Sequence, residues 1–147
     1  MEVHEILERE VVPDEEEVVI ALHLPSWDIA LQRGTTSTFA NYPQKSCSRT
    51  EILSVPQIVD LFKKEIGGGK IKIEGYGVIG VSEIRSLGMS GESQVDFLVT
   101  ADPTETNPAH AEIVALEPGR EKIRKRVPKG LSDKLCNALK VTVLEPY

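Results

Sequence analysis

Apolar positions along the chain fall into a few short, well-separated patterns. Val18–Leu24 is a β-branched apolar run that reads as a buried strand, ended by Pro25. Residues 54–66 read as a helix with Ile58, Leu61, Phe62 and Ile66 on one face. Ser54 with Gln57 forms a capping box, Pro56 sits in the tolerant first turn, and Gly67-Gly68-Gly69 stops the helix. Ile71–Ile73 and Tyr76–Val81 read as strands joined at Gly75, followed by a short helix from Ser82 to Leu87 that ends at Gly88. Gln94–Ala101 and His110–Leu116 both alternate, so they predict a wide hairpin around a Pro-rich loop. Pro118 predicts a helix over 119–127, broken by Pro128 and Gly130. Leu131–Leu139 reads as another helix and Val141–Leu144 as a last strand.

Two stretches resist this reading. Val3, Ile6 and Leu7 have helical spacing, but Pro13 and an acidic run cut the pattern short. Residues 32–50 are small, polar and without period, so they either contain a short strand around Thr36–Phe39 or serve a function. Mixed element order, hairpin-length connections and no repeat predict an α+β, single-domain fold. Its sheet is expected to be mainly antiparallel or mixed, with three to four short helices. Residues 18–147 would form that domain, and residues 1–17 a mobile acidic segment.

Charge sharpens the division. The net charge is −6, but residues 1–17 carry eight acids against Arg9 alone, leaving the rest about +1. Residues 120–134 hold seven bases against Glu121 and Asp133. The plain interpretation is two solvated faces; the sharper one is that the basic segment, with Arg124 and Arg126, meets phosphates or an acidic partner. It lacks the interleaved aromatics of single-strand binders. No apolar run reaches the roughly 18–20 residues that span a bilayer, and no secretory signal is legible, so no membrane partner and a cytoplasmic location are expected. Cys47 and Cys136 lack metal-site spacing; reduced thiols, no metal and no cofactor are expected.

The densest candidate chemistry is Asp102-Pro103-Thr104-Glu105-Thr106-Asn107-Pro108-Ala109-His110-Ala111-Glu112-Ile113. In a strand, His110 and Glu112 face the same side, beside Asp102 if the hairpin closes. A carboxylate beside an imidazole orients it for general acid–base work. The structural alternative is that Asn107-Pro108 starts a turn and His110 only fixes the loop. His110-Ala111-Glu112 is similar to the His-Ala-Glu of zinc deaminases, but the Pro-Cys-x-x-Cys that would complete the metal shell is missing. Arg33 with Thr36 and Ser37 could hold a phosphate or nicotinamide-type ligand, or be a solvated turn; the Glu-x-Glu of ADP-ribosyltransferases does not follow. Gly67-Gly68-Gly69-Lys70 follows a helix and precedes a strand, the reverse of a P-loop. Trp27 is either a core anchor or, if exposed, a partner contact.

Pro103 and Asn107-Pro108-Ala109-His110-Ala111-Glu112-Ile113, with Leu53-Ser54-Val55 and the Val81 to Arg85 segment, resemble a loose group of small uncharacterised bacterial proteins. Their shared feature is an Asn-Pro-Ala-His-Ala-x-Ile motif. The resemblance implies no activity; it suggests an accessory protein beside a defence or toxin system. The leading expectation is therefore a non-enzymatic domain that binds a protein partner through the loop 102–110, with Trp27 and Asn107 at the surface. The alternatives are a small enzyme acting on a nucleotide or nucleic acid, with His110 as acid–base and Arg33 on phosphate, and a basic-patch nucleic-acid binder.

Overall fold

A computed structural model describes residues 2–40 and 43–145. In chain order the elements are α1 (Val3–Leu7), β1 (Glu17–Leu22), β2 (Trp27–Asp28), β3 (Arg33–Gly34), α2 (Ser37–Ala40), β4 (Gln44–Arg49), α3 (Val55–Glu65), β5 (Gly75–Gly80), α4 (Val81–Met89), β6 (Asp96–Ala101), β7 (His110–Leu116), α5 (Lys129–Ala138) and β8 (Lys140–Val143). Six strands form one antiparallel sheet in the order β6-β7-β4-β1-β5-β8, and β2 with β3 makes a separate two-stranded ribbon. The chain is thus a single-domain α+β fold.

Alternation along the strands gives the sheet two apolar faces. One carries Val18, Ile20 and Leu22 of β1, Ile79 of β5, Phe97 and Val99 of β6 and Ile113 of β7. Phe39 of α2, Ile84 of α4 and Leu135 of α5 pack over it, with Trp27 at the margin. The opposite face is covered in two patches. Ile58 and Phe62 of α3 sit over Val19, Ala21, Tyr76 and Val78. Ile6 of α1 sits over Leu98, Val114 and Leu116. Between these patches run the polar positions of β4 and β7, bordered on one side by the last turn of α3.

The acidic segment is woven into the sheet. Ile6 and Val12 are fully buried. Val12 N–H donates to the Val99 carbonyl at 2.8 Å and Ala101 N–H to the Glu10 carbonyl at 2.8 Å, so residues 10–12 strap the outer edge of β6. Glu16 accepts twice from the Arg49 guanidinium, at 2.7 and 3.0 Å. Among the described residues, β8 has no second neighbour at the other edge.

Three local expectations need correction. No helix spans 119–127: the segment runs in turns, with Gly119 and Arg120 at positive φ and Ile123 bridging to Leu116. Ile123 is the only large apolar residue between Pro118 and Val127, too little to give a helix an apolar face. Thr36 is a turn residue and Ser37–Phe39 begin α2, so no strand forms there. There the Ser132 hydroxyl of α5 donates to the Thr36 carbonyl and accepts from Phe39 N–H, drawing that turn into a helix. Ile71–Ile73 makes no ladder; Ile73 is instead buried beneath α3.

Candidate functional site

The hairpin of β6 and β7 is closed by a loop whose own side chains set its shape. Asn107 Oδ1 accepts from Ala109 N–H at 3.0 Å, and Asn107 N–H donates to Thr104 Oγ1 at 3.0 Å. Asn107 Nδ2 reaches across to Ser48 Oγ at 3.1 Å, and Arg49 N–H donates to the Ala109 carbonyl. The loop is therefore fixed to β4 as well as to itself. Asn107 is only 5% exposed, so it is a bracket inside the fold and not the surface contact expected.

That bracket delivers His110 into the polar strip beside α3. Its Nδ1 lies 2.8 Å from the Asp102 carbonyl oxygen and 3.3 Å from Asp102 Oδ2. Both partners are acceptors, which assigns the proton to Nδ1 and leaves Nε2 with a lone pair. Nε2 faces the hydroxyl of Ser46, 3.3 Å away. Ser46, His110 and Asp102 thus form a contact chain of hydroxyl, imidazole and carboxylate. Glu112, expected to orient His110, faces the same side but is held by Arg9 at 2.6 Å. Arg9 also approaches Asp102 at 3.8 Å and Thr100 at 3.4 Å.

The chain opens onto a cavity of about 220 Å³ lined by Ser46, Ser48, Leu61, Phe62, Ile66 and His110, among others. A second cavity of about 260 Å³ adjoins it, sharing Ser46, Phe62 and Ile66 and extending past Ala21, His23 and Pro25. The two meet at Ser46 because β1 and β4 part company there. Their ladder holds only the pairs Val18–Arg49 and Val19–Ser48.

The other predicted residues lie elsewhere. Arg33 and Thr36 line a separate cavity of about 340 Å³ with Asp28, Asp133 and Asn137, so Arg33 does not join His110. Their polar atoms are engaged: Arg33 donates to Asn137, and Thr36 to Asp133. Ser37 Oγ bonds Ser26 and Thr35. Trp27 is 6% exposed in the main core, which removes it from any partner surface. Arg124 pairs with Glu117 at 3.4 Å and Arg120 with Asp96 at 2.8 Å, so part of the basic segment is neutralised within the chain, whereas Arg126 is exposed. Cys47 and Cys136 are free and buried, and burial pushes both thiols above their ordinary range. Among the described residues, no group of three or more His, Cys, Asp or Glu could hold a metal ion. No helix among them is long and apolar enough to cross a membrane.

Ser46 is the residue that sequence reasoning missed. It lies in the stretch without period, because β4 presents Gln44, Ser46 and Ser48 to the polar strip and so lacks apolar alternation on that face. The Ser-x-Ser spacing is the only signal it offered. Comparison of the chain with protein-family models, curated proteins and solved structures gives no match, so the geometry of this site carries the functional argument.

Proposed function

We propose that the protein is a small hydrolytic enzyme acting on a carboxylic ester, with Ser46 as nucleophile, His110 as general base and then acid, and Asp102 as the group that orients His110. The observation that carries this reading is the unbroken contact chain from Ser46 Oγ through both ring nitrogens of His110 to Asp102, at the mouth of a cavity. The same three roles recur on unrelated folds and are recognised by geometry. In the first step His110 Nε2 takes the Ser46 proton as Oγ attacks the ester carbonyl carbon. The tetrahedral intermediate collapses, its bond to the leaving oxygen breaks, and His110 returns the proton to the departing alcohol. Water, deprotonated by His110, then attacks the acyl-serine; the carboxylic acid leaves and Ser46 recovers its proton. A contact of 3.3 Å is long for a hydroxyl donor, and such contacts commonly tighten once substrate is bound.

The cavity's lining argues against the nucleotide or nucleic-acid substrate that the sequence offered as one alternative. It contains Glu65 and no Lys or Arg, a poor setting for phosphate. The test is labelling with a fluorophosphonate probe and turnover of p-nitrophenyl acetate. We expect the probe on Ser46, and loss of both signals in Ser46→Ala and His110→Ala. Equal labelling or turnover in a folded Ser46→Ala variant overturns the reading.

A partner-binding surface is the second reading. Leu24, Ile29 and Leu31 are 52%, 73% and 66% exposed; Ile29 and Leu31 lie on the turn joining β2 to β3, and Leu24 just before β2. It favours this ribbon over the loop 102–110, and predicts that Ile29→Asp with Leu31→Asp abolishes co-purification of a partner without changing Ser46 labelling.

A further inference from the structure

We infer that the backbone N–H of Ser46, freed where β4 leaves β1, is an oxyanion donor, and that the substrate is an ester with a short apolar acyl group seated in the slot between these strands. This rests on the hydrolase reading and adds the direction in which substrate lies. Arg49 N–H donates to the Ala109 carbonyl and Ala115 N–H to the Pro43 carbonyl. Residues 43 and 49 therefore bond toward β7, and by antiparallel alternation the even residues of β4 aim their main-chain groups at β1. Ser48 meets Val19 there. Two residues on, Ser46 lies past the end of that ladder, and its N–H points into the slot lined by Ala21, Ser46, Phe62 and Ile66. A nucleophile's own N–H is a recurring oxyanion donor, because it stays beside the carbonyl being attacked.

Two directions are then fixed. The oxyanion lies toward β1, and the leaving group must lie toward His110, which protonates it. The acyl group is left with the slot. Ala21, Pro25, Phe62 and Ile66 give apolar walls to that slot, which Gln44 and Lys45 also line, and its volume of about 260 Å³ is below the ~300–1,000 Å³ of cavities that hold drug-sized ligands. On the leaving-group side, Glu65 disfavours an anion.

The test is turnover of p-nitrophenyl acetate, butyrate and octanoate by the full chain, with fluorophosphonate labelling of Ser46 run in parallel. We expect octanoate to be at least tenfold slower than butyrate in kcat/KM. Ala21→Leu, which narrows the slot, should cut butyrate at least tenfold more than it cuts acetate; Ile66→Ala, which widens it, should raise octanoate. Octanoate turned over as fast as butyrate, or a folded Ala21→Leu with an unchanged profile, overturns the inference even if Ser46 is labelled. Absence of labelling on Ser46 overturns the hydrolase reading itself.

Discussion

Asp102 touches His110 twice, once through its main-chain carbonyl and once through its carboxylate. The carbonyl alone suffices to hold the proton on Nδ1; in the proposed reaction the carboxylate would add stabilisation of the imidazolium formed during proton transfer. Asp102→Asn should therefore lose less than in enzymes where the carboxylate alone sets the tautomer, where the loss is about 10⁴-fold. We expect a fall in kcat of about 10- to 100-fold with an unchanged KM, read by steady-state kinetics. A second prediction concerns Cys47, fully buried, whose thiol burial holds far above its ordinary 9.0. A thiol that stays neutral in the folded state but ionises in the unfolded one makes stability fall as pH rises above about 9. Lys45, lowered from 10.5 by burial, acts in the opposite sense, adding stability as pH rises toward 10.5. Urea denaturation from pH 8 to 10.5 should show the Cys47→Ala variant losing less stability than wild type across that range. His110 and Asp102 were legible in the sequence because prolines and an Asn mark a rigid loop. Ser46 was not, because the Ser-x-Ser spacing in a polar stretch does not single it out; only the pairing of β4 with β7 brings it to the imidazole.

The elements legible in the sequence are those whose own residues carry the core: α3 has one apolar face, and β1, β6 and β7 bury side chains on both faces of the sheet. α3 has its capping box, with Ser54 and Gln57 each bonding the other's N–H, and buries Ile58, Val59 and Phe62. β6 and β7 alternate as expected. The missed strand and the false helix fail for different reasons: β4 takes its shape from β1 and β7, distant in sequence, whereas residues 119–127 carry one large apolar residue before Val127 and fold back locally on Ala115–Glu117. Close packing between elements also makes a prediction. Gly88 lies in α4 where it presses on β6; a Cβ there would stand 2.5 Å from the Val95 carbonyl oxygen and 2.6 Å from the Phe97 ring. Gly91, just beyond the helix, has nothing within 4 Å. Gly88→Ala should destabilise by about 1–3 kcal/mol, despite alanine's better helix propensity, and Gly91→Ala by little, both measured by urea denaturation. Equal effects of the two substitutions would deny that α4 and β6 are so tightly apposed.

Over the whole molecule, charge was legible as a total and misleading as a map. The acidic first residues read as a mobile appendage, yet Arg9, Arg49 and Arg85 draw them onto the domain through Glu112, Glu16 and Asp14. Nothing local in a run of carboxylates announces which arginines it will meet. The strap at residues 10–12 depends on Val12, which is fully buried. Val12→Asp puts an unpaired carboxylate into the main core. It should detach the strap and leave β6 bare, with concentration-dependent aggregation visible by light scattering; a variant that stays monodisperse would mean the strap guards nothing. The two ends of the sheet are thus unequal. A sheet with a single open margin can join a second copy of itself once, β8 to β8, and then has no free strand left on which to add a third. Among the described residues, the same segment that steadies Asp102 through Arg9 also occupies main-chain groups of Val99 and Ala101, so edge-to-edge pairing is steered to β8, toward a finite pair in place of a fibre.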